Sequence, residues 1–137
     1  MTSLAGLKLE ARSLQGPVAC VDLETTGGLV AHHRIIEVGI VLLEGGLVVE
    51  AWSSLVNPGI RIPPTIVDFT GISNDMVDDA PTFHDLRAEV RRRLDGRLFV
   101  AHNARFDYGF VRNEFRRAGE KFSAPVLCTV RLSRALF

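Results

Sequence analysis

The chain has little cysteine, no excess of charge of either sign and no long apolar run. Its two cysteines, Cys20 and Cys128, are too few and too far apart for a disulfide framework or a zinc site, and we expect both to be reduced and buried. Basic and acidic residues number 16 each, so no overall positive charge attracts nucleic acid. No apolar run approaches the ~20 residues of a transmembrane helix, and no signal-peptide pattern opens the chain. We therefore expect a cytoplasmic protein without a membrane partner.

The 137 residues are enough for one core and too few for two domains. Residues 1–16 have weak apolar periodicity and are interpreted as an N-terminal lead-in. Strands are predicted at 17–24, 34–43, 47–56, 97–101 and 126–129, and helices at 82–95, 104–118 and from 130 onwards. This order predicts an α/β fold with a mixed five-stranded sheet flanked by helices, whose first three strands form an antiparallel meander.

Two acidic residues stand at the end of the first predicted strand. Asp22 and Glu24 are two residues apart, so both side chains project from the same face of the strand. Adjacent carboxylates repel each other, and a divalent cation between them would make the arrangement favourable. The alternative is a strand end with two solvated acids.

A third acid, Asp107, follows the fourth predicted strand in the first turn of the next helix. An aspartate there often only stabilises the helix end. If the first and fourth strands are adjacent and parallel, however, Asp107 lies beside Asp22 and Glu24 at the carboxyl ends of the strands. Three carboxylates at one sheet edge would form a site for a hard cation such as Mg²⁺ or Mn²⁺.

Four segments in this order carry a family resemblance: residues 21–27, residues 34–39, residues 69–72 followed by 79–83, and residues 101–107. Together they resemble the DEDD superfamily of 3′-5′ exonucleases, of the DEDDh type, within the ribonuclease H-like fold. The pattern is most similar to relatives of the proofreading epsilon subunit of bacterial DNA polymerase III. The resemblance covers 17–137, which we interpret as the exonuclease domain.

The resemblance implies catalysis by two divalent metal ions, Mg²⁺ or Mn²⁺. Asp22 would bridge both ions, Glu24 would bind the ion that activates water, and Asp107 would hold the other. The residues that would contact the terminal nucleotide are Thr25, Thr26, Gly27, Thr70, Gly71, His102, Asn103 and Phe106. For three of them a simpler interpretation stays open: Phe106 as a core residue, Asn103 as a helix cap and His102 as a hydrogen-bonding group in the pocket wall.

The third motif of the family, a histidine followed some five residues later by an aspartate, is absent after residue 129. The general-base histidine and the fourth acid therefore have no counterpart in this chain. We expect the domain to be incomplete at its C-terminus, to lack the C-terminal helices, to leave an apolar patch of the sheet exposed and to have impaired activity.

The favoured function is a metal-dependent 3′-5′ exonuclease of the DNA proofreading or repair type. Its expected partners are a single-stranded 3′ end, DNA rather than RNA, and a DNA polymerase subunit. The alternative is a catalytically inactive module of the same fold that binds nucleic acid or a polymerase. A phosphodiesterase that cuts internally is a third hypothesis, against which the segment 102–107 argues. The basic run 91–93 could contact phosphate, although such a run usually forms the solvated face of a helix.

Overall fold

The computed structural model describes residues 16–129, so most of the predicted lead-in and the predicted last helix lie outside the described residues. The strands are β1 (Val18–Thr25), β2 (Ile35–Glu44), β3 (Leu47–Leu55), β4 (Leu98–Ala101) and β5 (Val126–Cys128). The helices are α1 (Pro64–Thr70), α2 (Asn74–Asp78), α3 (Phe83–Leu94) and α4 (Ala104–Arg117).

All five strands join one sheet in the order β3-β2-β1-β4-β5. The pairs β1–β2 and β2–β3 are antiparallel, whereas β1–β4 and β4–β5 are parallel. The predicted mixed sheet, with its three-stranded meander, is therefore confirmed. The adjacent, parallel placement of β1 and β4, on which the predicted site depends, is confirmed as well.

Local sequence explains the turns that shape the meander and the entry to α3. Gly45 and Gly46 both have positive φ, 58° and 78°, which suits a tight hairpin turn between β2 and β3. Thr82 caps α3: its hydroxyl accepts a hydrogen bond from the Asp85 amide, and the Asp85 carboxylate accepts one from the Thr82 amide. The predicted start of α3 is confirmed.

The main core lies between one face of the sheet and helices α3 and α4. Alternate residues of β1 and β2 point to this face, as the two-residue period of a strand requires. The aromatic side chains of the helices fill the space above them, and Phe83 packs edge-to-face on Phe115 with ring centroids 5.1 Å apart. The buried strand residues of this layer are Ala19, Val21, Leu23, Val38, Ile40 and Leu42.

The second face of the sheet also carries apolar side chains, and here one expectation needs correction. Val18, Val100 and Leu127 are buried, whereas Leu47, Val48 and Val49 of β3 are exposed, so the exposed apolar patch stays a prediction. Cys20 and Cys128, expected to be buried, are only partly buried. Within 16–129, no helix has the length and apolar character needed to cross a membrane.

The contrast between two phenylalanines tests this account of the core. Phe83 is 1% exposed, and Phe83→Ala should lower the free energy of unfolding by about 3–5 kcal/mol because it leaves a cavity. Phe69 is 84% exposed, and Phe69→Ala should change it by no more than about 0.5 kcal/mol. Urea denaturation of both variants measures the difference, and equal losses would contradict the assignment of the core.

Candidate active site

The acid pair lies on β1 where that strand pairs with β2. Asp22 is exposed and Glu24 half-buried, on the same face of the strand. Glu37 of β2 stands directly opposite Glu24 in the register. Partial burial raises the pKa of Glu24, and the charges of Asp22 and Glu37 raise it further. Glu37, to which the sequence assigned no role, is therefore a further acid at this edge.

Asp107 is brought to the same place by the parallel pairing of β1 with β4. It lies in the first turn of α4, three residues after the helix starts, and is only 6% exposed. Burial, and then the charge of Asp22, raise its pKa from 3.8 to about 6, while hydrogen bonds from backbone amides, including that of Leu23 on β1, hold it lower than burial alone would. Asp22 thus interacts electrostatically with both Glu24 and Asp107.

The donor set suits a hard divalent cation in its chemistry. All three groups supply carboxylate oxygens, and their mutual repulsion is the kind that a bound cation relieves. Within residues 16–129, however, no three His, Cys, Asp or Glu side chains are grouped closely enough to constitute a metal centre. The structure therefore shows coupled acids and not a complete coordination shell.

A cavity of about 280 Å³ opens beside the acid pair. Its wall joins β1, the turn after it, the end of α1 and the first turn of α4. Phe106 contributes to this wall and also packs on the core, with its ring centroid 4.7 Å from that of Phe110, and its contact with a nucleotide stays a prediction. The predicted site residues that line the cavity are Glu24, Thr25, Gly27, Thr70 and Phe106.

The other predicted residues lie around this cavity or apart from it. The Thr26 hydroxyl is buried and accepts a hydrogen bond from the Arg34 amide at 3.0 Å. Gly71 ends α1 with a φ of 77°. His102 is exposed, with Nδ1 3.2 Å from the Thr129 hydroxyl. Asn103 precedes α4, but its side chain makes no capping hydrogen bond, so the simple capping interpretation lacks support.

Four residues of the cavity wall were given no role from the sequence: Leu23, Gly28, Ile66 and Phe69. Phe69 lines the cavity although its side chain is 84% exposed, which is unusual for an isolated phenylalanine. It directly precedes Thr70, so it lies within a segment that carries the family resemblance. An exposed aromatic ring at the mouth of this cavity can stack on a nucleotide base of any sequence.

The β1–β2 loop (residues 26–34) is packed tightly against the end of the acid strand. A Cβ atom at Gly27 would lie about 2.5 Å from the imidazole of His33, so only glycine fits without displacing the ring. His33 Nδ1 also lies 3.1 Å from the Thr26 hydroxyl. The loop therefore folds back on the backbone that follows Glu24.

The far end of α4 holds the same loop. Glu114, only 2% exposed, accepts a hydrogen bond from Arg34 Nε at 2.8 Å and one from Arg117 Nη1 at 3.2 Å, both at its Oε1. The Arg117 guanidinium also donates to the Ala31 carbonyl at 3.3 Å, and Asn113 donates to that of Val30 at 3.1 Å. No sequence signal identified Glu114, because its partner Arg34 is 80 positions away.

Comparison with known proteins gives consistent results. The family model described as Exonuclease (RNase_T) matches residues 19–137. The chain is 44% identical over 121 residues to the 3′-5′ exonuclease DinG of Bacillus subtilis (strain 168), covering 85% of this chain and 13% of that protein. It is 35% identical over 138 residues to DNA polymerase III subunit epsilon of Aquifex aeolicus (strain VF5), covering 99% of this chain and 68% of that subunit.

A solved structure of E. coli exonuclease I in complex with a 5cy-dA13 oligonucleotide has the same fold. It superposes with a TM-score of 0.80 at 20% identity, covering 88% of this chain and 30% of that one. At this identity the likeness concerns the fold alone. This chain thus spans a small part of the DinG protein and of exonuclease I, and about two thirds of the epsilon subunit.

The raised pKa of Asp107 predicts how stability depends on pH. An acid whose folded-state pKa is raised destabilises the fold when ionised, so stability should fall as pH rises from about 4 to about 6. Asp107→Asn removes the charge and should stabilise the protein at pH 7.5 by up to about 3 kcal/mol. Thermal unfolding in EDTA at pH 4.5 and 7.5 measures this. Asp68→Asn, at an exposed site, is the matched control, and a less stable Asp107→Asn at pH 7.5 would refute the prediction.

The contacts of Glu114 predict a second effect. Glu114→Gln weakens its pairing with Arg34 and Arg117 and should lower the free energy of unfolding by about 3 kcal/mol. It should also speed amide hydrogen exchange in the β1–β2 loop relative to the amides of α3. Glu50→Gln is the control, because Glu50 pairs with buried Arg93 far along the chain from this loop. Loop exchange that rises equally in both variants would contradict the role of Glu114.

Proposed function

Because this chain belongs to the exonuclease family, we propose that it removes nucleotides from the 3′ end of a nucleic acid with the help of two divalent metal ions, Mg²⁺ or Mn²⁺. The observation that carries the proposal is the electrostatic coupling of Asp22 with both Glu24 and Asp107 beside a cavity of about 280 Å³. A buried aspartate whose pKa is raised to about 6 next to another acid is characteristic of functional sites.

The three acids are the residues that would hold the ions. Bound divalent ions polarise the scissile phosphate and lower the pKa of the attacking water. The protein's own contribution is position: β1 presents Asp22 and Glu24 side by side, and the first turn of α4 presents Asp107 from the neighbouring element. Asp107 is buried, so its carboxylate has little contact with solvent.

The cavity walls would hold the terminal nucleotide. Gly27 lines this cavity, and its lack of a side chain lets the His33 imidazole pack against the end of the strand. The rings of Phe69 and Phe106 offer apolar faces for the base. Thr70, at the end of α1, donates a hydrogen bond to the Ile66 carbonyl and so supplies a fixed small side chain to the cavity wall.

For the substrate we propose single-stranded DNA rather than RNA. The related proteins are named as a DNA polymerase subunit and a 3′-5′ exonuclease, and the similar fold of exonuclease I is solved with an oligonucleotide bound. The likeness to the epsilon subunit also supports a DNA polymerase subunit as a partner of this chain. Both proposals rest on relatives and not on a contact in this structure.

A second candidate is a catalytically inactive module of the same fold that binds nucleic acid or a polymerase. One observation favours it. Among residues 16–129, no three His, Cys, Asp or Glu side chains form a compact group that could hold a metal ion. Such a module would keep the cavity and bind a 3′ end without hydrolysing it.

Nucleotide release distinguishes the two candidates. A 5′-labelled single strand with Mn²⁺ should be shortened stepwise from its 3′ end, and Asp22→Ala should reduce the rate at least 100-fold because it removes the acid that couples to both others. Asp68→Ala, the exposed-aspartate control, should retain the rate. Binding of the strand without shortening at high protein concentration would instead establish the inactive module.

A further inference from the structure

The arginines of α3 and those of α4 differ in their partners. In α3, the residues of the basic run 91–93 all form ion pairs with carboxylates, and Arg93 is buried with its guanidinium 4.4 Å from the Trp52 ring centroid. Arg87 pairs with Glu120. This basic run therefore holds the fold together, and its charge is already balanced within the protein.

The outer face of α4 has the opposite character. Arg105, Arg112 and Arg116 are exposed, and no carboxylate of residues 16–129 lies within 4.0 Å of their charged groups. Lys121, just beyond the helix, is also exposed and has no ion pair in that part of the chain. We call these four residues the basic stripe.

The stripe is continuous in space. Residues 105, 112 and 116 are seven and four positions apart, a spacing that places them on one side of an α-helix. Arg112, Arg116 and Lys121 surround one concavity of about 440 Å³. Glu120 also lines it, but its carboxylate is already paired with Arg87 and Arg91, so the concavity keeps an excess of positive charge.

We infer that the basic stripe binds the phosphate backbone of single-stranded nucleic acid upstream of the terminal nucleotide. The stripe starts at Arg105, which lies in the first turn of α4 two residues before Asp107. A strand that passes from the acid site over the N-terminal end of α4 would therefore reach it. From Asp107 to Arg116 the helix rises about 14 Å. A stacked strand advances about 3.4 Å per nucleotide, so about four nucleotides span this distance.

This inference rests on the proposed function for the direction of the strand, but its binding test does not need hydrolysis. The double variant Arg112→Gln/Arg116→Gln, the α4 variant, is compared with Arg92→Gln/Arg97→Gln, the α3 variant. The α3 variant removes the same charge from two arginines that are paired with carboxylates away from the stripe. Binding of a 20-nucleotide single strand is measured by fluorescence anisotropy in EDTA over a series of salt concentrations.

The logarithm of the binding constant falls as the logarithm of the salt concentration rises. Loss of two phosphate contacts should make this slope about 1.4 less steep for the α4 variant and leave it unchanged for the α3 variant. Equal slopes for the unaltered chain and the α4 variant would overturn the inference. They would instead favour an acidic protein surface as the ligand of the stripe. The inference would be overturned equally if the unaltered chain did not bind the strand.

A second measurement separates this inference from the proposed function. With Mn²⁺, the α4 variant should lose about tenfold in kcat/KM on the 20-nucleotide strand and nothing on a dinucleotide, which is too short to reach Arg112 or Arg116. If neither the unaltered chain nor the α4 variant releases nucleotides, the proposed function is contradicted. The salt slopes then still test whether the stripe binds the strand. If nucleotides are released and the α4 variant has the same kcat/KM as the unaltered chain on both substrates, the role of the stripe is contradicted and the proposed function is retained.

Discussion

The parallel pairing of β1 with β4 is the constraint on which the rest of the structure depends. It aligns Ala19 with Phe99 and Cys20 with Val100, so both strands end at the same edge of the sheet. The chain then leaves β4 directly into α4, and this short connection places Asp107 beside β1. Without this pairing, Asp22 and Asp107 would not share a charge environment, because 85 positions separate them in the chain.

Helix α4 has three roles, two on its buried side and one on its outward side. Its first turn carries Asp107 to the acid site, and two turns later Glu114 holds the β1–β2 loop from the same buried side. Its outward side carries the unpaired arginines. One rigid helix thus supplies Asp107 to the acid site and holds the loop after the acid strand through Glu114. This explains how a site built from distant segments keeps a single geometry.

Much of the fold could be predicted from local patterns. The alternation in β1 and β2, the Gly45-Gly46 turn and the Thr82 cap each depend on a few neighbouring residues, and the structure has them where the sequence indicated. What could not be predicted depends on long-range contacts. Glu114 finds Arg34 only after the sheet has formed.

Charge patterns were ambiguous for the same reason. The sequence shows a basic run at 91–93 but does not show that Glu50, Glu89 and Glu120 neutralise it. Arg105, Arg112 and Arg116 are less conspicuous in the sequence, yet they have no carboxylate partner in the described part of the chain. Exposed Phe69 was assigned no role from the sequence, because the resemblance in its segment placed the nucleotide contacts at Thr70 and Gly71.

The tight seating of His33 on Gly27 has a consequence for ligand binding. A flexible segment next to a binding site must be ordered when the ligand arrives, and that loss of conformational entropy weakens the affinity. Here the segment that follows Glu24 is ordered by the protein itself, through His33, Arg34 and the end of α4. The conformational entropy of this segment is lost when the chain folds, so the site is already preorganised when the ligand binds.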